Sequence, residues 1–203
     1  MTRLRITYGP WGETLDELCT AGAAAEAAGA EVLWVPELHR SATVTAAALA
    51  ARTSSARIGT GIAQSGRTWN EFDVVVSARC SIDDDRAAVR RRAAGLVGFC
   101  ASVRTYADLF AAHGLSAAQE EVIRQFRAGA GADDLAAAVP APMVDALTLS
   151  GPAAEVRERV LAYEGIAGTV KLTPPTHGLP APEIRAAQQR ILALIAELTG
   201  ERS

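Results

Sequence analysis

The sequence predicts an α/β domain whose parallel strands are covered by outer helices. Two observations lead to this fold class. The first sixty residues alternate strand, helix, strand, helix and strand, with connections of only a few residues. The second strand, residues 32–35 (VLWV), is a continuous apolar run, as expected for a parallel strand that is buried on both faces. Because 49% of the 203 residues are hydrophobic, the chain can bury one sizeable core, and residues 1–203 are expected to form a single domain.

Periodicity and turn residues define the elements of the N-terminal part. Residues 4–8 alternate apolar and polar side chains and end at the turn pair Gly9-Pro10. Thr14 can cap a helix whose apolar residues recur at helical spacing until Gly29 ends it. The pattern then predicts, in order, the strand at 32–35, an alanine-rich helix at 43–54 and a third strand at 57–62.

The second half contains longer helical segments. Residues 72–78 (FDVVVSA) are the candidate for the fourth strand. Asp83, Asp84 and Asp85 then supply a cap and an acidic first turn for a long helix over 84–98, which we expect to continue to 113. The remaining pattern predicts helices at 117–127 and 152–163, a strand at 168–172 and a terminal helix at 183–198.

Composition excludes several classes of protein. Twenty basic residues against 23 acidic ones give a net charge of -3, so the chain lacks the positive field that holds a nucleic-acid backbone. No apolar run approaches the roughly 20 residues that a bilayer requires, and no apolar leader follows the N-terminus. Cys19, Cys80 and Cys100 are odd in number and widely spaced, which favours reduced thiols. We therefore expect a cytoplasmic protein with neither a membrane nor a nucleic acid as partner.

Motifs for other common chemistries are missing from the sequence. The three histidines, His39, His113 and His177, have no partners at metal-ligand spacing, and no two cysteines are two residues apart, so no metal site is expected. The sequence also lacks the nucleophile elbow of hydrolases and the Gly-Lys-Ser/Thr phosphate loop.

Four segments resemble the bacterial-luciferase-like family of flavin- and F420-dependent oxidoreductases. AAEAAGAEVLWVPELHR (24–40) is similar to that family's first helix and second strand, and ALAARTSSARIGTGI (48–62) to its second helix and third strand. VDALTLSGPAAEVRERVLAYEGIAGTVKLTP (144–174) resembles the last helix and last strand. FDVVVSARCSIDDDRAAVRRRAAG (72–95) is similar to the seventh strand and its helix. The resemblance implies a barrel of alternating strands and helices.

The chain departs from this family in length. A complete eight-stranded barrel takes about 250 residues, whereas here the match to the third strand ends at 62 and the match to the seventh begins at 72. The resemblance therefore implies a truncated TIM-barrel-like (β/α) domain of about five parallel strands with outer helices. The seventh, eighth, first, second and third strands are neighbours in a closed barrel, so they would still form one contiguous sheet. Its exposed edges and apolar face lead us to expect a homodimer.

The resemblance also implies a site at the carboxyl ends of the strands, where ligands bind in parallel (β/α) folds. Family members often carry an acidic residue followed directly by histidine after the second strand. Glu37 and His39 are the corresponding catalytic candidates for proton transfer, although Leu38 stands where the first histidine of a pair would be. A histidine hydrogen-bonded only to backbone or water is the alternative interpretation of His39.

Five residues are candidates for binding the cofactor, F420 or FMN. Thr60 and Gly61 end the third strand and would let a planar ring approach the backbone. Ser65, Gly66 and Arg67 resemble the family's Ser-x-Gly-Arg segment, in which a glycine backbone and a guanidinium can hold an anion. A polar surface loop is the competing interpretation of these last three residues.

Aromatic residues near the strand ends are candidates for contacting a small-molecule substrate. Tyr8 and Trp11 follow the first strand, and Trp69 lies in the loop before the fourth. Lys171 and Thr173 of the last strand are placed at the same end.

The expected function is that of a luciferase-like oxidoreductase, or monooxygenase-like enzyme, that uses F420 or FMN on a small organic substrate. Two alternatives stay open at this point. A cofactor-free descendant would use Glu37 and His39 in a non-redox step, such as a cyclisation or isomerisation in a biosynthetic pathway. A non-catalytic partner would dock its open sheet on a full-length relative.

Overall fold

The computed structural model describes residues 4–35, 42–60 and 75–200 of the chain. Its internal contacts divide the chain into two compact units. The first unit contains Met1–Ala78, Arg157–Pro174 and Gln188–Ser203, and the second contains Arg79–Val156 and Pro175–Ala187. The expectation of a single domain stays a prediction.

The described residues form six strands and nine α-helices. The strands are β1 (Arg5–Tyr8), β2 (Val32–Val35), β3 (Arg57–Thr60), β4 (Val75–Ile82), β5 (Leu149–Gly151) and β6 (Thr169–Thr173). The helices are α1 (Leu15–Ala27), α2 (Ala42–Ala50), α3 (Arg86–Ala101), α4 (Ala107–Ala112), α5 (Ser116–Arg127), α6 (Ala132–Ala138), α7 (Ala141–Leu147), α8 (Ala153–Leu161) and α9 (Ala181–Gly200).

The strands of the first unit pair in parallel, and the sheet that they form has one polar and one apolar face. Their register aligns Thr7 with Lys171 and Tyr8 with Leu33. Because side chains alternate along a strand, the apolar residues of β1, β2 and β6 share one face. The buried members of that face are Ile6, Tyr8, Leu33, Val35, Val170 and Leu172. Helices α1 and α9 supply further buried residues, among them Leu18, Ile191, Leu194 and Leu198.

The carboxylate of Glu26 joins helix α1 to the turn before β3. Its two oxygens accept hydrogen bonds from the backbone N–H groups of Ser54, Ser55 and Ala56, at 2.5 to 3.1 Å. Because these donors favour the ionised form, the pKa of Glu26 falls from its ordinary 4.5 to about 2.

The second unit contains the C-terminal part of β4, strand β5 and helices α3 to α7. β4 and β5 pair in parallel with Cys80 opposite Leu149. Asp85 caps α3 by accepting hydrogen bonds from the N–H groups of Ala87 and Ala88. The helices enclose a core that consists of Val97, Ala101, Phe110, Val122, Leu135 and Met143.

The observed strand order confirms the predicted arrangement of the sheet. The six strands follow the order β3-β2-β1-β6-β4-β5. The order β3-β2-β1-β6-β4 is the one expected if the third, second, first, eighth and seventh barrel strands remain neighbours. The sheet has one strand more than expected, because β5 was assigned to the residues that lead into the helix at 152–163.

Several boundaries differ from the predicted ones. The fourth strand, predicted over 72–78, continues to Ile82; it is described from Val75, and residues 72–74 lie outside the described residues. The long helix ends at Ala101, and the Ser102 hydroxyl donates to the Phe99 carbonyl at 2.7 Å at that point. Helices α6 and α7 occupy a stretch for which the sequence predicted no element.

Within the described residues, no helix has both the length and the apolar character needed to cross a bilayer.

Candidate functional site

The candidate site lies at the carboxyl ends of β1, β2 and β6 in the first unit. This end of a parallel sheet is where helix-linked folds place their ligands. Thr7, Trp34 and Lys171 share the polar face there, because Thr7 pairs with Lys171 and Trp34 alternates with Leu33, which pairs with Tyr8. The site is therefore built from three strands that are distant in sequence.

A chain of hydrogen bonds fixes the ring of Trp34. The indole Nε1–H of Trp34 donates to Oγ1 of Thr7 at 3.0 Å, and that hydroxyl donates to the carbonyl oxygen of Val170 at 3.1 Å. The Thr7 hydroxyl thus donates one hydrogen bond and accepts another, and these two bonds together fix the orientation of the hydroxyl. The chain links β2, β1 and β6 and holds the indole plane in one orientation.

The ammonium group of Lys171 lies over this indole. Its Nζ atom is 5.8 Å from the centroid of the Trp34 ring, within the range of a cation–π interaction. Lys171 is the only lysine among the 20 basic residues of the chain. The site thereby combines a positive charge with a flat aromatic surface of fixed orientation.

Gly9 gives the Lys171 and Thr173 side chains room at the end of β1. A Cβ atom on Gly9 would lie 3.3 Å from both the Cε atom of Lys171 and the Oγ1 atom of Thr173. The Oγ1 atom of Thr173 is buried and has no hydrogen-bond partner among the described residues. A buried hydroxyl without a partner costs free energy, so a ligand that satisfied it would gain from the contact.

Gln188 of α9 supports the segment after β1. Its Oε1 atom accepts from the hydroxyl of Tyr8 at 2.9 Å and from the backbone N–H of Trp11 at 3.1 Å. Tyr8 is fully buried, and Gln188 is 5% exposed. The amide therefore fixes the backbone at Trp11, whose side chain is half-buried.

The structure describes only some of the residues that the sequence singled out. Tyr8 is the last residue of β1, and its side chain is fully buried on the face opposite Thr7 and Lys171; Trp11 follows three residues later, and the backbone of Thr60 ends β3 opposite Val35. The other candidates fall outside the described residues: Glu37, His39, Gly61, Ser65, Gly66, Arg67 and Trp69. Their roles stay predictions.

Sequence reasoning assigned no functional role to five residues of this site. It placed Lys171 and Thr173 at the strand ends without a function, treated Trp34 as core, and passed over Thr7 and Gln188. A signal for Lys171 was present, because a lone lysine inside a strand is unusual in a chain that otherwise uses arginine. No local pattern indicates the bond between Thr7 and Trp34, which are 27 positions apart.

Comparison with known proteins identifies the family. The family model described as luciferase-like monooxygenase matches residues 1–69 and 61–169, which is most of the chain. The chain therefore belongs to the luciferase-like monooxygenase family. No curated protein matches it.

Proposed function

We propose that the chain is an oxidoreductase that binds F420 or FMN at the carboxyl ends of β1, β2 and β6 and acts on a small organic substrate. The observation that carries this proposal is the set of groups around Gly9: the Lys171 ammonium over Trp34 and the buried, unpartnered Thr173 hydroxyl. These groups form a donor-rich edge beside a flat apolar surface. Family membership supports the same class of reaction.

The donor set suits the ring system of either cofactor. The pyrimidine edge of a flavin or deazaflavin carries two carbonyl oxygens that accept hydrogen bonds, and a nearby cation stabilises the negative charge that this edge gains on reduction. Lys171 and Thr173 would supply the donors, and the small Gly9 leaves space for their side chains. When bound, the reduced cofactor supplies two electrons as hydride.

The remaining candidates complete the proposed site. His39 and Glu37 hold or move the proton, and Thr60, Gly61, Ser65, Gly66 and Arg67 contact the cofactor. Trp11 and Trp69 contact the substrate. Tyr8, the third substrate candidate, is fully buried, so it acts through Gln188, which also holds the backbone of Trp11.

One observation favours a cofactor-free enzyme as the second candidate. Residues 61–74 are all that the sequence has between the described end of β3 at Thr60 and the described start of β4 at Val75. This segment is too short for the helix-linked strands that would stand there in a complete barrel. If the phosphate-binding part of the family's site is lost with them, Glu37 and His39 act as acid and base in a non-redox step.

Titration of the purified protein with F420 and, separately, with FMN tests the proposal. Cofactor fluorescence reports binding, and we expect saturation in the micromolar range with one of the two. Lys171→Met removes the charge and should weaken binding roughly tenfold, which is the loss of one charge-assisted hydrogen bond. Thr60→Trp adds a bulky side chain at the end of β3 and should prevent the cofactor ring from binding there. Arg52→Met removes a cation of the same unit that pairs with Asp16 on the surface, and it should change nothing.

Each outcome selects between the candidates. If neither cofactor binds at about 1 mM, an affinity of only about 4 kcal/mol, the redox proposal is wrong. If the protein then converts a substrate without added flavin, and the His39→Ala and Glu37→Ala variants do not, the cofactor-free enzyme is established. Copurification of a full-length homologue would instead establish the non-catalytic partner.

A further inference from the structure

The second unit contains a cavity that the proposed function does not use. Its volume is about 450 Å³, in the range of small-molecule sites. Helices α3, α6 and α7 and the segment at 177–179 line it. The walls are mostly small apolar side chains, namely those of Ala94, Ala136, Ala137, Val139, Ala141 and Val144.

Two arginines of α3 supply the charged groups of this cavity. Arg90 donates to the Asp145 carboxylate at 3.2 Å through Nη2, and Arg91 donates to Glu183 at 2.9 Å, also through Nη2. These bonds orient the guanidinium groups. Each guanidinium has five N–H donors in a fixed fork, so donors remain for a ligand, most of all on Arg90.

His177 adds a polar group to the lining of the same cavity. Its segment approaches α3 so closely that a Cβ atom on Gly95 would overlap the backbone carbonyl oxygen of His177. The imidazole lies 5.4 Å from the ring of Phe99, centroid to centroid. Burial, together with the positive charge of Arg79, lowers the pKa of His177, so its ring is neutral near pH 7 and can donate through one nitrogen.

We infer that this cavity binds a small monocarboxylic acid with an apolar body. The alanine and valine walls take the body, and the carboxylate lies at Arg90 with His177 as a second donor. Asp145 and Glu183 stand beside the two arginines. Because each carboxylate offsets the charge of one arginine, the repulsion grows with the charge of the ligand, and the site disfavours phosphate or a dicarboxylate more than a monoanion.

Benzoate is the probe for this proposal, and benzamide is its neutral counterpart of similar shape. Binding is followed by calorimetry and by the chemical shifts of the His177 ring, which are assigned with a His177→Gln variant. We expect benzoate to bind in the high micromolar to millimolar range and to shift the His177 signals. Benzamide and phosphate should bind at least tenfold more weakly.

Two variants and a control locate the binding. Arg90→Met should weaken benzoate binding about tenfold, the effect of one charge-assisted contact. Ala137→Leu fills the cavity from an exposed position of α6, so the fold tolerates it while binding is lost. Arg124→Met removes an arginine that pairs with Glu121 elsewhere in the unit, and it should leave benzoate binding unchanged.

Three results would overturn the inference: no benzoate binding at about 10 mM, equal binding of benzamide, or equal binding by the Arg90→Met and Ala137→Leu variants. F420 and FMN titrations are read separately, because Lys171 belongs to the first unit and Arg90 to the second. A negative result with benzoate therefore does not contradict the proposed cofactor site, and a negative result with F420 and FMN does not contradict the carboxylic-acid site.

Discussion

At the scale of single residues, Glu26 shows how one carboxylate can organise a turn. Its pKa of about 2 lies below the ordinary 4.5, because three backbone N–H groups and the Ser55 hydroxyl donate to the charged form. A carboxyl group whose pKa is lowered on folding stabilises the folded state fully above its unfolded pKa. That contribution is lost as the pH falls from about 4.5 toward 2.

Glu26→Gln should therefore lower the Tm at pH 7 and flatten the dependence of Tm on pH in the acid range. The amide keeps the size of the side chain but gives up the charge that attracts the donors. Thermal unfolding by circular dichroism between pH 2 and pH 7 measures both effects. Glu158→Gln, at an exposed position of α8, is the matched control. Equal pH profiles for the two variants would contradict the assigned role of Glu26.

Thr7 offers a second test at this scale. Thr7→Val keeps the shape but leaves the Trp34 N–H without its acceptor, so we expect a loss of about 1–2 kcal/mol in the free energy of unfolding. Urea denaturation measures this loss. Thr7→Ser retains the hydroxyl and should lose less. Thr20→Val, which removes a solvent-exposed bond to the Asp16 carbonyl, should have little effect. An equal loss in Thr7→Val and Thr20→Val would show that the buried chain adds no stability.

At the scale of elements, helix α3 depends on the small size of Gly95. Alanine is favoured over glycine inside a helix by about 1 kcal/mol. At this position, however, the new Cβ atom would overlap the backbone of His177, which has no flexible end that could move away. We expect the overlap to outweigh the helix preference.

Gly95→Ala should reduce the free energy of unfolding by about 1–3 kcal/mol, as overpacking does. It should also shift the NMR signals of the His177 ring. At the end of α9, a Cβ atom on Gly200 meets no described atom within 4 Å. Gly200→Ala is therefore the control and should be neutral or slightly stabilising. A Gly95→Ala variant as stable as the parent would mean that the segment at 177–179 does not pack on α3 in this way.

Elements with local signals were the ones that could be predicted from the sequence. Thr14 caps α1 as expected, and β2 has the predicted bounds, because caps and continuous apolar runs act over a few residues. Strand β5 gave no such signal: it has three residues, and its burial rests on pairing with β4. The Ser150 hydroxyl is satisfied only by Thr148, at 2.6 Å, among the bonds described. In the sequence, Thr148 and Ser150 beside Gly151 are typical of a turn, so no strand was predicted there.

The candidate site was predictable only in outline. Alternation placed Lys171 and Thr173 at the carboxyl end of β6, and strand ends are local features. The bonds that organise the site are not local, since Gln188 and Tyr8 are 180 positions apart. Their pairing depends on α9 packing against β1, which no short window of sequence contains.

At the scale of the whole molecule, the strand order accounts for how a shortened barrel can still form a sheet. Strands β3, β2, β1, β6 and β4 are consecutive in the sheet, so a chain without the strands that a complete barrel has between the third and the seventh would keep all of these strand pairs. The ends of an opened sheet are exposed edges, which proteins usually cover. This is why we expect a second copy of the chain to complete the molecule.

Exposed apolar side chains offer a second surface for association, separate from the edges of the sheet. The second unit exposes Phe99, Tyr106, Leu109 and Phe126, with Phe99 at 55% and Phe126 at 50%. A contiguous group of exposed apolar side chains often marks an interface, and Leu109 and Phe126 lie on the contacting helices α4 and α5. In the first unit, Ile166 is 74% exposed and gives a matched control.

Sedimentation equilibrium should give twice the chain mass at micromolar concentration. Leu109→Ser and Phe126→Ser, introduced together, should shift the protein toward the monomer by at least tenfold in Kd, since the exposed part of each side chain, 42% for Leu109 and 50% for Phe126, can contribute about 1 kcal/mol on burial. Ile166→Ser should leave the dimer unchanged, and all variants should keep the parental circular dichroism spectrum. A parent chain that sediments as a monomer would contradict the homodimer. A dimer that survives the double substitution would place the interface away from α4 and α5 and favour association through the open edges of the sheet.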